Sequence, residues 1–281
     1  MSNKEAPPYE NILREFSFGD QKRVEAKVKR FTTVGRGKMH ILFDFDRTLT
    51  FNSEGEDVTS WHILRSHLPQ EGQKQYDSFF QKYRTLEIQK KLTQADAILW
   101  WEQILSLAKE HEVNMMEVER DFLSKANARP YAQELFRLCQ ETGIPTVILS
   151  AGIADFINIW CSRYGIAPKV ILSTKLSIGE GGKITGWEEK TLVHVLNKKE
   201  MGHSELTRIR TTHPFTVLIG DGLEDANMIE GVDDVIRVRI NDPRKDEPID
   251  RLRKETFERF DLMIENGSLQ PVLSLVSLIS K

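Results

Sequence analysis

Cysteine is nearly missing from this chain: only Cys139 and Cys161 occur in 281 residues. Two cysteines build neither a disulfide framework nor a thiolate zinc site, so a reducing compartment is the expectation. An excess of one charge is missing too, with 39 basic residues against 42 acidic ones and a net charge of −3. Without such a field, nothing points to a nucleic-acid polymer or an anionic membrane as partner. No apolar run approaches the ~18–20 residues that span a bilayer. The opening MSNKEAPPYENILREF lacks an apolar signal core, which argues against secretion and for a cytoplasmic location. Internal repeats and low-complexity tracts are also lacking. What is present is ordinary: 40% hydrophobic and 29% charged residues, enough for a real core. At roughly 150 residues per domain, the length fits one large or two small domains.

Short apolar runs alternate with helical patterns. Val24, Val28 and Phe31 recur at helical spacing among the basic residues of a lead-in helix, whose basic run predicts a solvated face, with attraction of an anionic ligand as the alternative. Met39–Phe45 (MHILFDF) predicts a buried parallel strand. Further strands are expected at Pro145–Leu149, Val170–Leu172, Phe215–Ile219 and Val235–Val238. Pro130 is expected to open a helix with Tyr131, Leu135, Leu138 and Cys139 in 3.6 period, and another helix covers Ala154–Tyr164. Ser177–Trp187, rich in glycine, predicts a β-hairpin flap. Asp57–Lys125 has no comparable strand and predicts helices, with Leu99, Trp100, Ile104, Leu105 and Ala108 on one face. Together these give an α/β fold with a parallel sheet and a helical insertion after the first strand.

In such sheets, ligands bind beyond the carboxyl ends of the strands. Three predicted strands end in polar residues: Asp44 and Asp46, Ser150, and Asp221. On an extended chain, Asp44 and Asp46 would share a side, and two such carboxylates repel unless a cation lies between them or one holds a proton. That suits a nucleophile beside a general acid/base. Asp221 and Asp225 are four apart and could serve one cation if a helix starts near Leu223. Carboxylates without nearby His or Cys favour Mg²⁺ over zinc. Ser150, followed by Ala151-Gly152 and a helix, could hold phosphate oxygens, and Lys198 or Lys199 could balance their charge.

DFDRTLT (44–50), LSAGIAD (149–155) and IGDGLED (219–225) in this order resemble the haloacid dehalogenase (HAD) superfamily of aspartyl-phosphate enzymes. RVEAKVKRF, KYRTLEIQ, ILWWEQ, VILSAGIADFI, KTLVHVLNKKE and VLIGDGLEDANMIEGV narrow the resemblance to the cytosolic type III pyrimidine 5′-nucleotidases, over about residues 22–265. SAGI (150–153) and HVLNK (194–198) are the strongest marks. Arg47 and Thr50 stand where that family usually has Met and Ser, and GDGLED replaces GDSxGD.

The resemblance implies a Rossmannoid parallel sheet with helices on both faces, formed by residues 1–51 and 130–281, with a C1-type helical cap at 52–129. It implies hydrolysis of nucleoside 5′-monophosphates, of pyrimidine or 7-methylguanosine type, by a monomer or weak homodimer. Asp44 would be the nucleophile and Asp46 the general acid and then base. Lys198 would neutralise charge, while Ser150 and the Ala151 N–H bind phosphate. Mg²⁺ would sit on Asp44, the Asp46 carbonyl and Asp221, with Asp225 orienting a water on the ion. Glu87 would contact the base, and Trp100 and Trp101 would wall it. Another HAD phosphatase, for example of the phosphoserine type, is the alternative. A phosphoryl receiver needs neither Asp46 nor a cap, and a dehalogenase does not need Asp46.

Other features carry less. Gly35-Arg36-Gly37-Lys38 lacks P-loop spacing and predicts a turn. His40, His194, Cys139, Cys161 and Trp61 are expected to pack rather than react. Asp242–Arg259 is mixed in sign and predicts a solvated loop and helix.

Overall fold

A computed structural model describes residues 8–52, 58–199, 203–241 and 249–280. The chain begins with α1 (Pro8–Leu13), α2 (Gln21–Val34), β1 (Met39–Phe43) and β2 (Thr50–Phe51). The inserted helices follow: α3 (Ser60–Ser66), α4 (Gln70–Ile88), α5 (Gln94–Glu110) and α6 (Met115–Lys125). Next come β3 (Asn127–Ala128), α7 (Ala132–Thr142), β4 (Thr146–Ile153), α8 (Ala154–Tyr164) and β5 (Val170–Thr174). A hairpin of β6 (Leu176–Ile178) and β7 (Ile184–Trp187) precedes α9 (Ser204–Thr212) and β8 (Phe215–Gly220). The last elements are β9 (Val235–Ile240), α10 (Ile249–Phe257), β10 (Leu262–Ile264) and α11 (Gln270–Ile279).

Six of the described strands form a parallel sheet in the order β10-β9-β8-β1-β4-β5. The two-residue period of the strands sorts the core into two clusters. Ile41, Phe43, Ile148, Val217 and Ile219 meet Val28 and Phe31 of α2, Leu135 of α7, Ile157 of α8 and Val272 and Val276 of α11. Leu42, Val147, Leu149 and Leu218 meet Leu206 and Ile209 of α9 and Met228 and Ile229. Helices therefore cover both faces, and the strands alternate between them without an exposed side. The chain works outward from β1 in both directions, through β4 and β5 on one side and β8 to β10 on the other. The strand order reverses at β1, where an open α/β sheet has its binding crevice.

The inserted helices leave and rejoin the sheet domain through neighbouring strands, because β2 and β3 pair antiparallel. Thr93 and Asp96 form a reciprocal cap at the start of α5. Tyr83 and Trp100 stack at 5.8 Å, and Phe80 and Trp101 pack edge-on against Trp100. At the other side, Ile184 of the hairpin donates to the Val113 carbonyl at 2.9 Å. Asn114 reaches the Gly181 carbonyl at 3.0 Å.

Several expectations change. A sixth strand, β10, completes the sheet; its three residues are too few for a periodic signal. β1 stops at Phe43, so Asp44 lies past the strand and Asp46 lies in a turn. Asp44 and Asp46 therefore do not share a strand face. Tyr131 precedes α7 in a left-handed conformation (φ 69) and is exposed, as is Leu99 on α5. Residues 36–38 form a short 3₁₀ turn, and α10 lies within the stretch expected to be solvated. Residues 242–248, the loop part of that stretch, lie outside the described residues.

Candidate active site

Asp44 follows β1 directly, and its N–H donates to the Ile219 carbonyl of β8 at 2.9 Å. The next residue, Phe45, is fully buried between Phe122 of α6 and Trp160 of α8. The turn that follows is held by Arg129, a buried guanidinium donating to the carbonyls of Arg47, Thr48, Thr50 and Gly267. Arg47 has φ 65, a left-handed conformation uncommon for a residue with a side chain.

One Asp44 oxygen accepts from Thr48 Oγ1 at 3.0 Å, and the other accepts from Lys198 Nζ. Lys198 also donates to Asp225 at 2.8 Å. Its loop is stapled by the preceding Asn197, which accepts from the His194 N–H at 2.7 Å and donates to the Leu192 carbonyl at 2.8 Å. Asp225 lies in a 3₁₀ turn, Leu223–Met228, and accepts from the Gly222 N–H at 2.9 Å. Gly220 permits this return: a Cβ there would lie 2.5 Å from the Asp225 side chain. Asp221 stands between, with its carbonyl bonded to Arg239 Nε at 2.9 Å. One oxygen each from Asp44, Asp221 and Asp225 lie within 4.8 Å of one another.

This centre is electrostatically strained. Burial pushes the Asp44 carboxyl up to about 7; Lys198 pulls it down, while Asp225 and Asp221 push it further up. Burial works against the Lys198 ammonium, yet Asp225 and Asp44 outweigh it, and the lysine holds its proton more tightly than usual. Three carboxylates face one ammonium. The all-oxygen donor set and the surplus negative charge fit a hard divalent cation such as Mg²⁺.

Asp46 is not part of that triad. Its carboxylate is gripped by Ser60, the first residue of α3: the Ser60 N–H donates to Oδ1 at 3.1 Å and its Oγ to Oδ2 at 2.7 Å. Burial pushes Asp46 up to about 6 against these bonds. Ser150, in the irregular last stretch of β4, accepts from the Gly152 N–H at 3.0 Å. A Cβ at Gly152 would lie 2.6 Å from Ser60 Oγ, 3.0 Å from Asp46 Oδ2 and 3.2 Å from Ser150 Oγ. Only glycine lets these three groups converge. The Ala151 carbonyl accepts from both Trp61 Nε1 (2.9 Å) and Trp101 Nε1 (3.1 Å).

The structure thus gathers Asp44, Lys198, Asp221 and Asp225 at one point, and Asp46, Ser150 and Ala151 beside the inserted helices. Trp101 contacts this region, but Trp100 is packed within the insertion. Glu87 lies near the end of α4, paired with Arg84. His194 is buried and packs near Trp101, and burial lowers it to about 4. Burial pushes both cysteine thiols up to about 12, so neither is an activated thiolate. Trp61 does more than pack, because its indole N–H serves the Ala151 carbonyl. Thr48 and Asn197 sit inside recognisable motifs, so their motif position signals them. Ser60 and Arg129 lie far along the chain from the groups they hold, and no local pattern marks them.

The profile of the pyrimidine 5′-nucleotidase (UMPH-1) family matches residues 47–280. The chain belongs to this family. It is a HAD-fold 5′-nucleotidase. It is 24% identical over 277 residues to the 7-methylguanosine phosphate-specific 5′-nucleotidase of Drosophila melanogaster, covering 93% of this chain and 86% of that protein. It is 25% identical over 260 residues to 7-methylguanosine phosphate-specific 5′-nucleotidase A of Xenopus laevis, covering 87% and 88%. In fold, this UMPH-1 member is similar to a crystal structure of cytosolic 5′-nucleotidase IIIB bound to cytidine, with TM-score 0.76, 22% identity and coverage of 94% and 93%. A substrate-bound phosphoserine phosphatase shares the fold more distantly, with TM-score 0.55, 19% identity and coverage of 84% and 96%. Among the described residues, no helix is long and apolar enough to cross a membrane.

Proposed function

We propose that this nucleotidase hydrolyses nucleoside 5′-monophosphates of pyrimidine or 7-methylguanosine type, through an aspartyl-phosphate on Asp44. The observation that carries this reading is the placement of Asp44 at the crevice of the sheet, bonded to Lys198, with Asp221 and Asp225 alongside. Asp44, Asp221 and Asp225, with the Asp46 carbonyl, would hold Mg²⁺, which when bound offsets the charge of the phosphate and the carboxylates. Ser150 Oγ and the Ala151 N–H hold phosphate oxygens, and Lys198 balances their charge. An Asp44 oxygen attacks phosphorus as the bond to the 5′-oxygen breaks. Asp46 gives its proton to that oxygen and the nucleoside departs. Asp46 then takes a proton from a water that attacks the phosphorus, releasing phosphate and restoring Asp44.

In this reading residues 52–129 are a cap over a core of 1–51 and 130–281. Glu87 and Trp101 face the base from the cap, while Trp100, expected to wall it, backs Trp101 from inside the insertion; the relatives named as 7-methylguanosine phosphate-specific favour that base. A cytoplasmic enzyme working as monomer or weak homodimer completes the proposal. Phosphate release with Mg²⁺ across CMP, UMP, 7-methyl-GMP, AMP, GMP, phosphoserine and an aryl phosphate tests it. A preference for pyrimidine or 7-methylguanine monophosphates is expected; preference for phosphoserine, or equally slow turnover of all, overturns it. On the same panel, Glu87→Ala should alter base preference while barely changing aryl phosphate turnover.

A further inference from the structure

The inserted helices do more than roof the crevice. Ser60 opens α3, is fully buried, and lies 14 residues beyond Asp46 in the chain. It places one donor on each oxygen of a single carboxylate, at 3.1 and 2.7 Å. Two donors on two oxygens stop the carboxylate from rotating. Each oxygen keeps a second lone pair, so Asp46 can carry a proton while both bonds to Ser60 persist. A serine hydroxyl can also rotate to donate or accept, which a lysine or arginine at this place could not do. The neighbouring Trp61 ties the same turn of α3 to the Ala151 carbonyl of β4. Gly152 provides the clearance: a Cβ there would come within 2.6 Å of Ser60 Oγ.

We propose that Ser60 is a positioning residue for proton transfer, so that Asp46 is a competent acid only while α3 is seated against β4. The proposal rests on the assignment of Asp46 as general acid in the function proposed above. A misplaced acid fails to protonate a poor leaving group but hardly affects a good one, and this difference separates a positioning role from a structural one.

The test compares kcat/KM for a nucleoside 5′-monophosphate with kcat/KM for 4-nitrophenyl phosphate, both with Mg²⁺. The first substrate expels an alkoxide that needs a proton; the second expels a stable phenolate. This parameter stops at formation of the aspartyl-phosphate, so the later hydrolysis step does not enter. Ser60→Ala is expected to lower the nucleotide value roughly tenfold or more, part of the ~10²–10⁴ that a positioned acid contributes. The aryl value should change by less than about threefold. The ratio of the two is independent of the fraction of folded enzyme, so a loss of stability cannot imitate the result. Ser60→Thr keeps both donors and should restore the ratio, while Asp46→Asn sets the largest discrimination available. Equal losses on both substrates with Ser60→Ala, or no loss, overturn the proposal if Asp46→Asn still discriminates. If Asp46→Asn itself loses equally on both, the acid assignment falls and the role of Ser60 falls with it.

Discussion

Asp44 and Lys198 show how a buried residue pair can be both necessary and uncomfortable. Asp44 is 5% exposed and shares its lysine with Asp225. An unfolded aspartate gives up its proton near 4, whereas the folded chain keeps protons on Asp44 to about 7 and on Asp46 to about 6. Between those limits the metal-free folded state binds protons that the unfolded state does not. Stability from these groups is complete below pH 4 and falls as pH rises to 7. Urea unfolding of the metal-free protein should therefore show a larger loss from pH 5 to pH 7.5 in the wild type than in Asp44→Asn. Matching pH curves would contradict the placement of the proton on Asp44. The same substitution should reduce turnover by at least ~10³-fold, because no other group can take the phosphoryl.

Single elements are tied together by backbone carbonyls that accept distant side chains. Arg129, just past β3, serves three carbonyls of the turn after β1 and that of Gly267, shortly before α11. Each buried carbonyl left without a donor costs about 1–3 kcal/mol. Arg129→Met should lower unfolding free energy by roughly 3 kcal/mol or more, measured by denaturant melts. Arg129→Lys should not restore it, since one ammonium cannot reproduce the fork. The Ala151 carbonyl is a second node, with indoles from α3 and α5 on one oxygen. Trp61→Phe or Trp101→Phe alone leaves it a donor; the double variant leaves none. A double-mutant cycle should give a coupling of about 0.5–3 kcal/mol in stability, with a matching excess rise in KM. Strict additivity would show that the two indoles act separately.

Across the whole molecule, the carboxylate centre lies where β1, β8 and the Lys198 loop meet, so an ion there would draw these segments together. At a hundredfold excess over its dissociation constant, a cation that binds only the folded state adds about 2.7 kcal/mol. Mg²⁺ should raise the melting temperature of the wild type reversibly, with a chelator returning it to the metal-free value. Asp221→Asn should lose most of that gain while melting normally without the ion. An equal gain in that variant would place the cation elsewhere. The inserted helices are held at several points: the β2–β3 pair, the hairpin bonds near Val113 and Gly181, and the indole and serine bonds to β4 and Asp46.

The sequence by itself determines the α/β class, the strands around β1, and the strand ends that carry Asp44 and Asp221; β4, expected to end at Ser150, runs on irregularly to Ile153. These depend on local order: an apolar run is a buried strand, and the polar residue that ends it must leave the sheet at its carboxyl edge. Motif order then brings in Lys198 and Asp225. What the tertiary structure alone decides is which distant group meets which. Asp46 lies in a turn rather than on a strand face, held by a serine from the insertion. Arg129 supports the turn from beyond that insertion, and Trp61 joins Trp101 on one carbonyl. A single serine, arginine or tryptophan carries no periodic signal, and its partner is a backbone carbonyl or carboxylate fixed only once the helices pack. For the same reason β10 escapes a reading by pattern: three residues become a strand because β9 offers an edge to pair with.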